Sequence, residues 1–441
     1  MGGRSGTFLA SASIVLLGAV LVVAFVGDQR VASQDALNGI VAGVSVVADA
    51  STSVPPIATT LPPVAVTSSP AITAPAPVTT AAPTTTGAPT TTLYDGPIRV
   101  ATLSFTGDIM AHREVSRYAA VYGGGRDGYD FSPMFELVGE ELSSADVAIC
   151  HLESTLSGSE QPVGFPVFRG PAELATALSV AGYDGCSMAS NHAYDYGEDG
   201  VIATLDVLDD ASLKHTGTAR NLDEALDIVM YDAAGIRVAH LSYTYGLNVA
   251  GPGDGARFQV NIADINTIVD DSIRARRQGA EFVVASMHWG NQYEGAPSLD
   301  QVALAEAIAD ESLIDLVVGH HAHHIQPIAK VGDLWVAYGL GNFLSNQTPG
   351  CCGIPSEDGV ILSVTIVDTP TGVIVDGVTV TPTWVDRAQM KIMPVVSSLE
   401  IAGLEAWYRA GLRNSYERTI ASLNSLDPDG LLAITPTAAL S

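Results

Sequence analysis

Four histidines stand within five residues in the stretch VVGHHAHHIQP, at His320, His321, His323 and His324, directly behind an apolar run. Comparable β-branched runs elsewhere also end in polar clusters. Asp108 closes RVATLSFTGD, Glu153 closes DVAICHLE, Asn191 and His192 close DGCSMASNH, and His288 stands in EFVVASMHWG. Carboxylates, an amide and imidazoles are the donor set of a divalent transition-metal centre. A dinuclear centre of that kind would make a phosphoryl or acyl group electrophilic and water nucleophilic near neutral pH, so hydrolysis is the chemistry expected.

Taken singly, each residue has a structural explanation. Asp108 could cap a helix or turn, Glu153 could pair with an arginine, and His192 could be a satisfied core histidine. Five runs ending alike is the harder pattern to dismiss. Rival schemes are missing from the sequence: it holds no G-x-S-x-G elbow, no P-loop and no H-E-x-x-H. Gly123-Gly124-Gly125 lacks a helix-opening context and reads as a loop.

The elements that must position these residues alternate along the chain. Between the β-branched runs lie MFELVGEELSSA, PAELATALSVAG, GVIATLDVLDDA, ADINTIVDDSIRARRQG and SLDQVALAEAIADES, with apolar residues at helical spacing. Strand and helix in alternation predict an α/β domain, and ligands in such sheets gather at the carboxyl ends of the strands. Further on, GVILSVTIVD and GVIVDGVTVTPTWVD predict a β-hairpin, and LEIAGLEAWYRAGLRNSYERTIASLNSL predicts a helical tail that covers the domain.

The first part of the 441-residue chain differs in kind. An uncharged run from Phe8 to Val26 follows Arg4 and is long enough to span a bilayer, and the residues after it match a cleavage site poorly. An uncleaved signal anchor over 1–30 is expected, with the bulk of the chain extracytoplasmic, or secreted if the signal is cleaved. Residues 31–97 are rich in Thr, Pro and Ala and predict a disordered stalk, leaving a main domain over 98–395 and the tail over 396–441. The formal charge is −28, and the only lysines are Lys214, Lys330 and Lys391, so nucleic acid is excluded as a natural partner. Four cysteines allow three pairings; Cys150 with Cys186 is the expected one, with free buried thiols as the alternative.

The motifs resemble, in order, those of the CapA family of poly-γ-glutamate capsule proteins, a branch of the calcineurin-like metallophosphatase superfamily. Phe105-Thr106-Gly107-Asp108-Ile109-Met110 is similar to its opening GD-x-M, and His151-Leu152-Glu153 to its N-L-E. Phe168-Arg169-Gly170-Pro171, Ser190-Asn191-His192, His288-Trp289-Gly290, Gly319-His320-His321-Ala322-His323 and Tyr338-Gly339-Leu340-Gly341-Asn342-Phe343 follow. The resemblance implies a metallophosphatase-like layered α/β sandwich with the metal site at the strand C-terminal ends. It implies Asp108, Glu153, Asn191, His288, His320 and His323 as ligands of two divalent ions, manganese or iron before zinc. It implies His192 as general acid or oxyanion stabiliser with Asp195 orienting it, and Arg169 and His321 as substrate contacts, while His324 falls outside the pattern and reads as an exposed loop histidine.

Departures concern activity more than fold. Met110 stands where the superfamily's D-x-H has its histidine, with His112 as a possible substitute of different reach. Gln292 replaces the glutamate of H-W-G-x-E-Y, with Glu294 two residues further on, and Ala322 and Ser190 replace a proline and an asparagine. The leading expectation is a membrane-anchored extracytoplasmic metal-dependent hydrolase that makes, anchors or trims poly-γ-glutamate or another cell-surface polymer, beside membrane synthase subunits. The alternatives are a non-catalytic polymer-binding accessory subunit of a capsule synthase, and a secreted phosphodiesterase or nucleotidase.

Overall fold

The computed structural model describes residues 98–125, 128–427 and 434–436. The expected anchor over 1–30 and stalk over 31–97 lie outside the described residues. Among the described residues, no helix is long and apolar enough to cross a membrane.

Two sheets carry the fold. In chain order the strands of the first are β1 (Val100–Ile109), β2 (Val147–Leu152), β5 (Gly185–Ser187), β6 (Lys214–Thr216), β13 (Asn342–Leu344), β14 (Asp358–Thr369), β15 (Gly372–Asp386), β16 (Lys391–Pro394) and β17 (Ile434–Pro436). They lie in the order β16-β15-β14-β1-β2-β5-β6, with β13 beside β1 and β17 beside β15. The second sheet contains β7 (Val229–Ala233), β8 (Ile236–Thr244), β9 (Phe282–His288), β10 (Leu316–His320), β11 (Ile328–Val331) and β12 (Leu334–Ala337), ordered β11-β12-β10-β9-β8-β7. A small pair, β3 (Thr155–Ser157) and β4 (Arg169–Pro171), stands apart.

Alternation along the strands sorts their side chains between layers. Val147 and Ile149 of β2 join Val284 of β9, and Leu316 and Val318 of β10, in a core between the sheets. Ala148, Cys150 and Leu152 face the other way, against the helices Arg113–Tyr122, Glu173–Ala181 and Gly197–Asp210. Val283, Ala285 and Met287 pack outward on the helices Ile265–Arg277 and Leu299–Glu311. The result is helix, sheet, sheet, helix, which agrees with the expected layered α/β sandwich.

Local differences from the sequence reading are instructive. The run 134–145 forms two short helices, Ser132–Phe135 and Gly139–Ser143, with Gly139, a poor helix former, at the break. Gly123 closes the helix Arg113–Tyr122 rather than opening one. Cys150 and Cys186 face each other across β2 and β5 and form a disulfide; Cys351 and Cys352 form a second.

The expected hairpin is β14 with β15, and the tail contains the helix Ala406–Leu423, which buries Tyr408, Leu412 and Leu423. Arg418 grips Asp358 with two hydrogen bonds of 2.8 Å, and Ser415 adds one of 2.6 Å. Asp358 is buried while Arg418 keeps 30% of its side chain exposed, so Arg418→Ala should cost about 2–3 kcal/mol, somewhat less than for a fully buried pair. Denaturant unfolding checks this: the midpoint should fall with the slope unchanged, and a loss under about 0.5 kcal/mol would mean that the pair does not anchor the helix.

Candidate metal centre

The inner faces of both sheets supply the centre where their strands end. On β2 the odd positions face the second sheet, so His151 and Glu153 continue the side marked by Val147 and Ile149. On β9 and β10 the same phase carries His288 and His320. Asp108 reaches this side through an irregularity: Phe105 pairs with Ile149 but Asp108 with His151, so β1 spends three residues where β2 spends two. One extra residue reverses the alternation and turns Asp108 inward. Gly107 sits in that bulge, where a Cβ would lie 2.2 Å from the carbonyl oxygen of Gly341.

The donor atoms converge. His323 Nδ1 lies 2.9 Å from Asp108 Oδ2 and 3.8 Å from Glu153 Oε2. His320 Nδ1 lies 3.4 Å from Asp108 Oδ1. His288 Nε2 lies 3.0 Å from Asn191 Oδ1 and 3.7 Å from Glu153 Oε1. All the ligand residues expected from the resemblance therefore meet at one place, and none is more than 3% exposed. His321 and His323 adopt positive φ, 84° and 55°, which the loop after β10 needs to turn its imidazoles back toward Asp108.

The electrostatics are those of a cage built for a cation. Asp108 Oδ1, both carboxylate oxygens of Glu153, His320 Nδ1 and His321 Nδ1 are buried without a hydrogen-bond partner. Glu153 has no arginine beside it, contrary to its structural explanation; burial, reinforced by the charges of Asp108 and Asp195, raises its carboxyl well above the usual range. Burial would raise Asp108 too, but the imidazoles of His320 and His323 outweigh it and hold Asp108 well below that range. Burial, with the neighbouring imidazoles, pushes His151 and His288 well below the usual histidine range, and a neutral ring is the form in which His288 could serve as a ligand. Oxygen and nitrogen donors that lack partners in this way fit a divalent transition-metal ion.

The remaining predicted residues flank the cage. His192 Nδ1 is 2.7 Å from Asp195 Oδ2, which also accepts the Phe168 N–H at 2.7 Å, so Asp195 both orients the imidazole and ties down the Phe168 segment. His321 lies 4.6 Å from the rings of Tyr245 and His288, and burial pushes it down to about 3. Arg169 lies over the Tyr196 ring at 4.3 Å, donates to the Gln161 carbonyl and stands 3.6 Å from Glu160.

Other expectations are corrected. His324 is 6% exposed rather than a surface loop residue, because the segment around Cys352 covers it and accepts its Nε2–H at 2.9 Å. His112 does not join the donor clusters; its Nδ1 accepts the Asn346 N–H and its ring packs edge-on against Phe168. Glu294 meets Asn291 at the surface and does not replace the carboxylate missing at Gln292.

Sequence reasoning passed over His151, Asn342 and Asn248. His151 Nε2 lies 2.9 Å from His288 Nδ1, Asn342 Oδ1 lies 3.1 Å from His323 Nδ1, and Asn248 Nδ2 lies 3.2 Å from His192 Nε2. The signal for His151 was present: two residues before Glu153 on one strand, it must share Glu153's face.

The two-sheet sandwich and this donor set define a class, an α/β protein with a buried carboxylate and imidazole cage at the mouth between its sheets. Residues 102–347 match the family described as Bacterial capsule synthesis protein PGA_cap, and the chain belongs to that family. It is 29% identical over 258 residues to the Capsule biosynthesis protein CapA of Bacillus anthracis, covering 56% of this chain and 60% of that protein. It is 28% identical over 255 residues to the PGA biosynthesis protein CapA of Bacillus subtilis, covering 56% of this chain and 64% of that one. The matches thus span less than two thirds of either relative. Among solved structures, the calcineurin-like phosphoesterase YfkN from Bacillus subtilis overlaps 74% of this chain and 98% of its own, at 11% identity and a TM-score of 0.40, values that carry no chemistry across.

Glu153→Gln separates the two sides of this arrangement. In metal-free protein a carboxyl raised by burial loses stability as pH climbs from its unfolded value toward its folded one, so the amide should stabilise the metal-free protein at pH 7 and flatten that loss. The same variant should lose the stabilisation that added Mn²⁺ gives the wild type. Thermal unfolding with chelator and with Mn²⁺ reads both, and an unchanged response to Mn²⁺ would remove Glu153 from the donor set.

Proposed function

We propose that this chain is a metal-dependent hydrolase of cell-surface polymer metabolism, with poly-γ-glutamate as the first substrate class to examine. The observation that carries this reading is the set of buried carboxylate oxygens without partners, surrounded by imidazoles. Family membership and the names of the relatives supply the polymer. The proposed ligands are Asp108, Glu153, Asn191, His288, His320 and His323, holding two divalent ions, manganese or iron before zinc. Such a centre supplies electrophilic activation of an acyl or phosphoryl group.

The chain's own residues do the rest. Asp195 accepts from His192 Nδ1–H, which leaves Nε2 to accept from the Asn248 amide while the ring is neutral; as the imidazolium, Nε2 would donate to a leaving group or to a developing oxyanion. Asn248 Nδ2, at 3.2 Å from that nitrogen, marks a place for a polar substrate atom. Arg169 is the proposed grip for a substrate carboxylate or phosphate: its ion pair with Glu160 is loose, and its guanidinium lies over the Tyr196 ring. His321 is the proposed second contact. A membrane anchor, an extracytoplasmic position and synthase subunits as partners belong to the same reading.

A second reading, a polymer-binding accessory subunit without turnover, is favoured by the exposed Gln292 and by the surface position of Glu294. The full chain, supplied in turn with Mn²⁺, Fe²⁺ and Zn²⁺, should cleave poly-γ-glutamate or a panel of small phosphate esters. His320→Ala/His323→Ala should lose metal and turnover together. His192→Asn should keep its metal while kcat falls by about 10²–10⁴-fold. Stoichiometric metal with no turnover on either substrate class would instead select the accessory subunit.

A further inference from the structure

His151 occupies the middle of the cage, yet it is not placed as a ligand. By distance alone it groups with Asp108 and His320, and again with Glu153 and His288, all donor atoms lying within 4.8 Å. Both of its ring nitrogens are already engaged, however: Nδ1 is 2.7 Å from Ser187 Oγ, and Nε2 is 2.9 Å from His288 Nδ1. Its ring also lies nearly parallel to that of His320, with centroids 3.9 Å apart and planes 13° apart.

The direction of these hydrogen bonds follows from their far end. Ser187 Oγ donates to the backbone carbonyl of Cys150 at 3.3 Å, and a carbonyl can only accept. The hydroxyl's one proton being spent there, Ser187 Oγ accepts from His151 Nδ1–H. A neutral imidazole with its proton on Nδ1 has a lone pair on Nε2, so His288 must donate from Nδ1–H. His288 Nε2 is then unprotonated, and it faces Asn191 Oδ1 at 3.0 Å and the unpartnered Glu153 Oε1 at 3.7 Å. His288 Nε2, Asn191 Oδ1 and Glu153 Oε1 thus direct lone pairs at one place, as the ligands of a cation do.

We propose that His151 is a positioning residue: with Ser187 and the Cys150 carbonyl it commits His288 to the tautomer that presents Nε2 to the centre, and by stacking it fixes the plane of His320. The metal-affinity part rests on the metal-centre reading above; the tautomer part does not. Ligand histidines commonly donate their second N–H to a carboxylate or a carbonyl, and losing that partner weakens metal binding by about 10–100-fold. Here another imidazole, that of His151, fills that place. It stands in the position where the resemblance to the N-L-E motif puts an asparagine, so the arrangement belongs to this chain's own sequence.

The test uses the full chain as wild type, His151→Phe, His151→Gln and Ser187→Ala. Phenylalanine keeps a flat ring against His320 but accepts nothing. Glutamine offers an amide oxygen near the place of Nε2, and alanine at 187 removes one oxygen with little change in packing. Two quantities are read: the Kd for Mn²⁺ alone, by calorimetric titration, and the ring ¹⁵N shifts of His288 in metal-free protein, which separate the tautomers. His151→Phe should weaken Mn²⁺ binding by about 10–100-fold and lose the single Nδ1–H tautomer of His288. His151→Gln should recover binding to within a few-fold, and Ser187→Ala should give a mixture of tautomers. Wild-type affinity and tautomer in His151→Phe would overturn the proposal, as would His151→Gln behaving like His151→Phe. Should His151→Phe not fold, the Ser187→Ala spectrum decides, an unchanged single tautomer counting against the relay. Should the wild type take up no Mn²⁺, the metal reading fails, and the ¹⁵N shifts still decide whether His151 sets the tautomer of His288.

Discussion

Two carboxylates buried side by side, with no arginine or lysine paired to either among the described residues, are the constraint on which the rest of this molecule depends. Asp108 stands in β1 and Glu153 directly after β2 of the same sheet, and both reach the gap between the sheets, where neither pairs with an arginine or a lysine among the described residues. A charge left in that state is expensive, and a protein ordinarily neutralises it by protonation or by a counter-ion. Here Glu153 is pushed toward its protonated form while imidazoles hold Asp108 ionised. The imidazoles of His288, His320 and His323 arrive from the opposite sheet and the loop after it, so the closure of the sandwich and the assembly of the centre are the same event.

Backbone irregularity concentrates where that assembly needs it. The bulge in β1 changes which face Asp108 occupies, and Gly107 lets it lie against the Gly341 carbonyl. Gly319 likewise sits where a Cβ would meet the carbonyl oxygen of Tyr338 at 1.9 Å. His321 and His323 hold a left-handed backbone that costs each about 1 kcal/mol or more. Buried amides tie this loop down: Gln301 donates to Gln326, which in turn donates to the carbonyls of Glu294 and Ala296. The strain is thereby carried by a rigid frame, as a site that must hold its geometry before its ligand arrives requires.

Much of this was legible because strand ends are simple. An apolar run that stops in Asp, Glu, Asn or His announces both an element and a position, and Asp108, Glu153, Asn191, His288, His320 and His323 were found that way and through the ordered motifs. Features set by distant parts of the chain were not legible. His324 is covered by a segment nearly thirty residues further on. His151 resembled one letter of a motif, although its spacing from Glu153 already placed it on the inner face. The split of the run 134–145 turns on a glycine whose effect competes with an unbroken apolar period. Spacing within one element can be read from the sequence; what covers a side chain from another element cannot.

The pairing of β1 has a consequence in time. Its antiparallel neighbour is β14, with Val100 opposite Val367, and β14 is in turn gripped through Asp358 by a helix that ends at Leu423. The earliest strand of the domain therefore waits for nearly the last of the chain before its edge is covered. Contacts this far apart in sequence close slowly. The cage depends on contacts of the same long range, since His320 and His323 meet Asp108 from far along the chain. Without the helix Ala406–Leu423, Asp358 would lose Arg418 and Ser415, and with them the grip on the strand that covers the edge of β1.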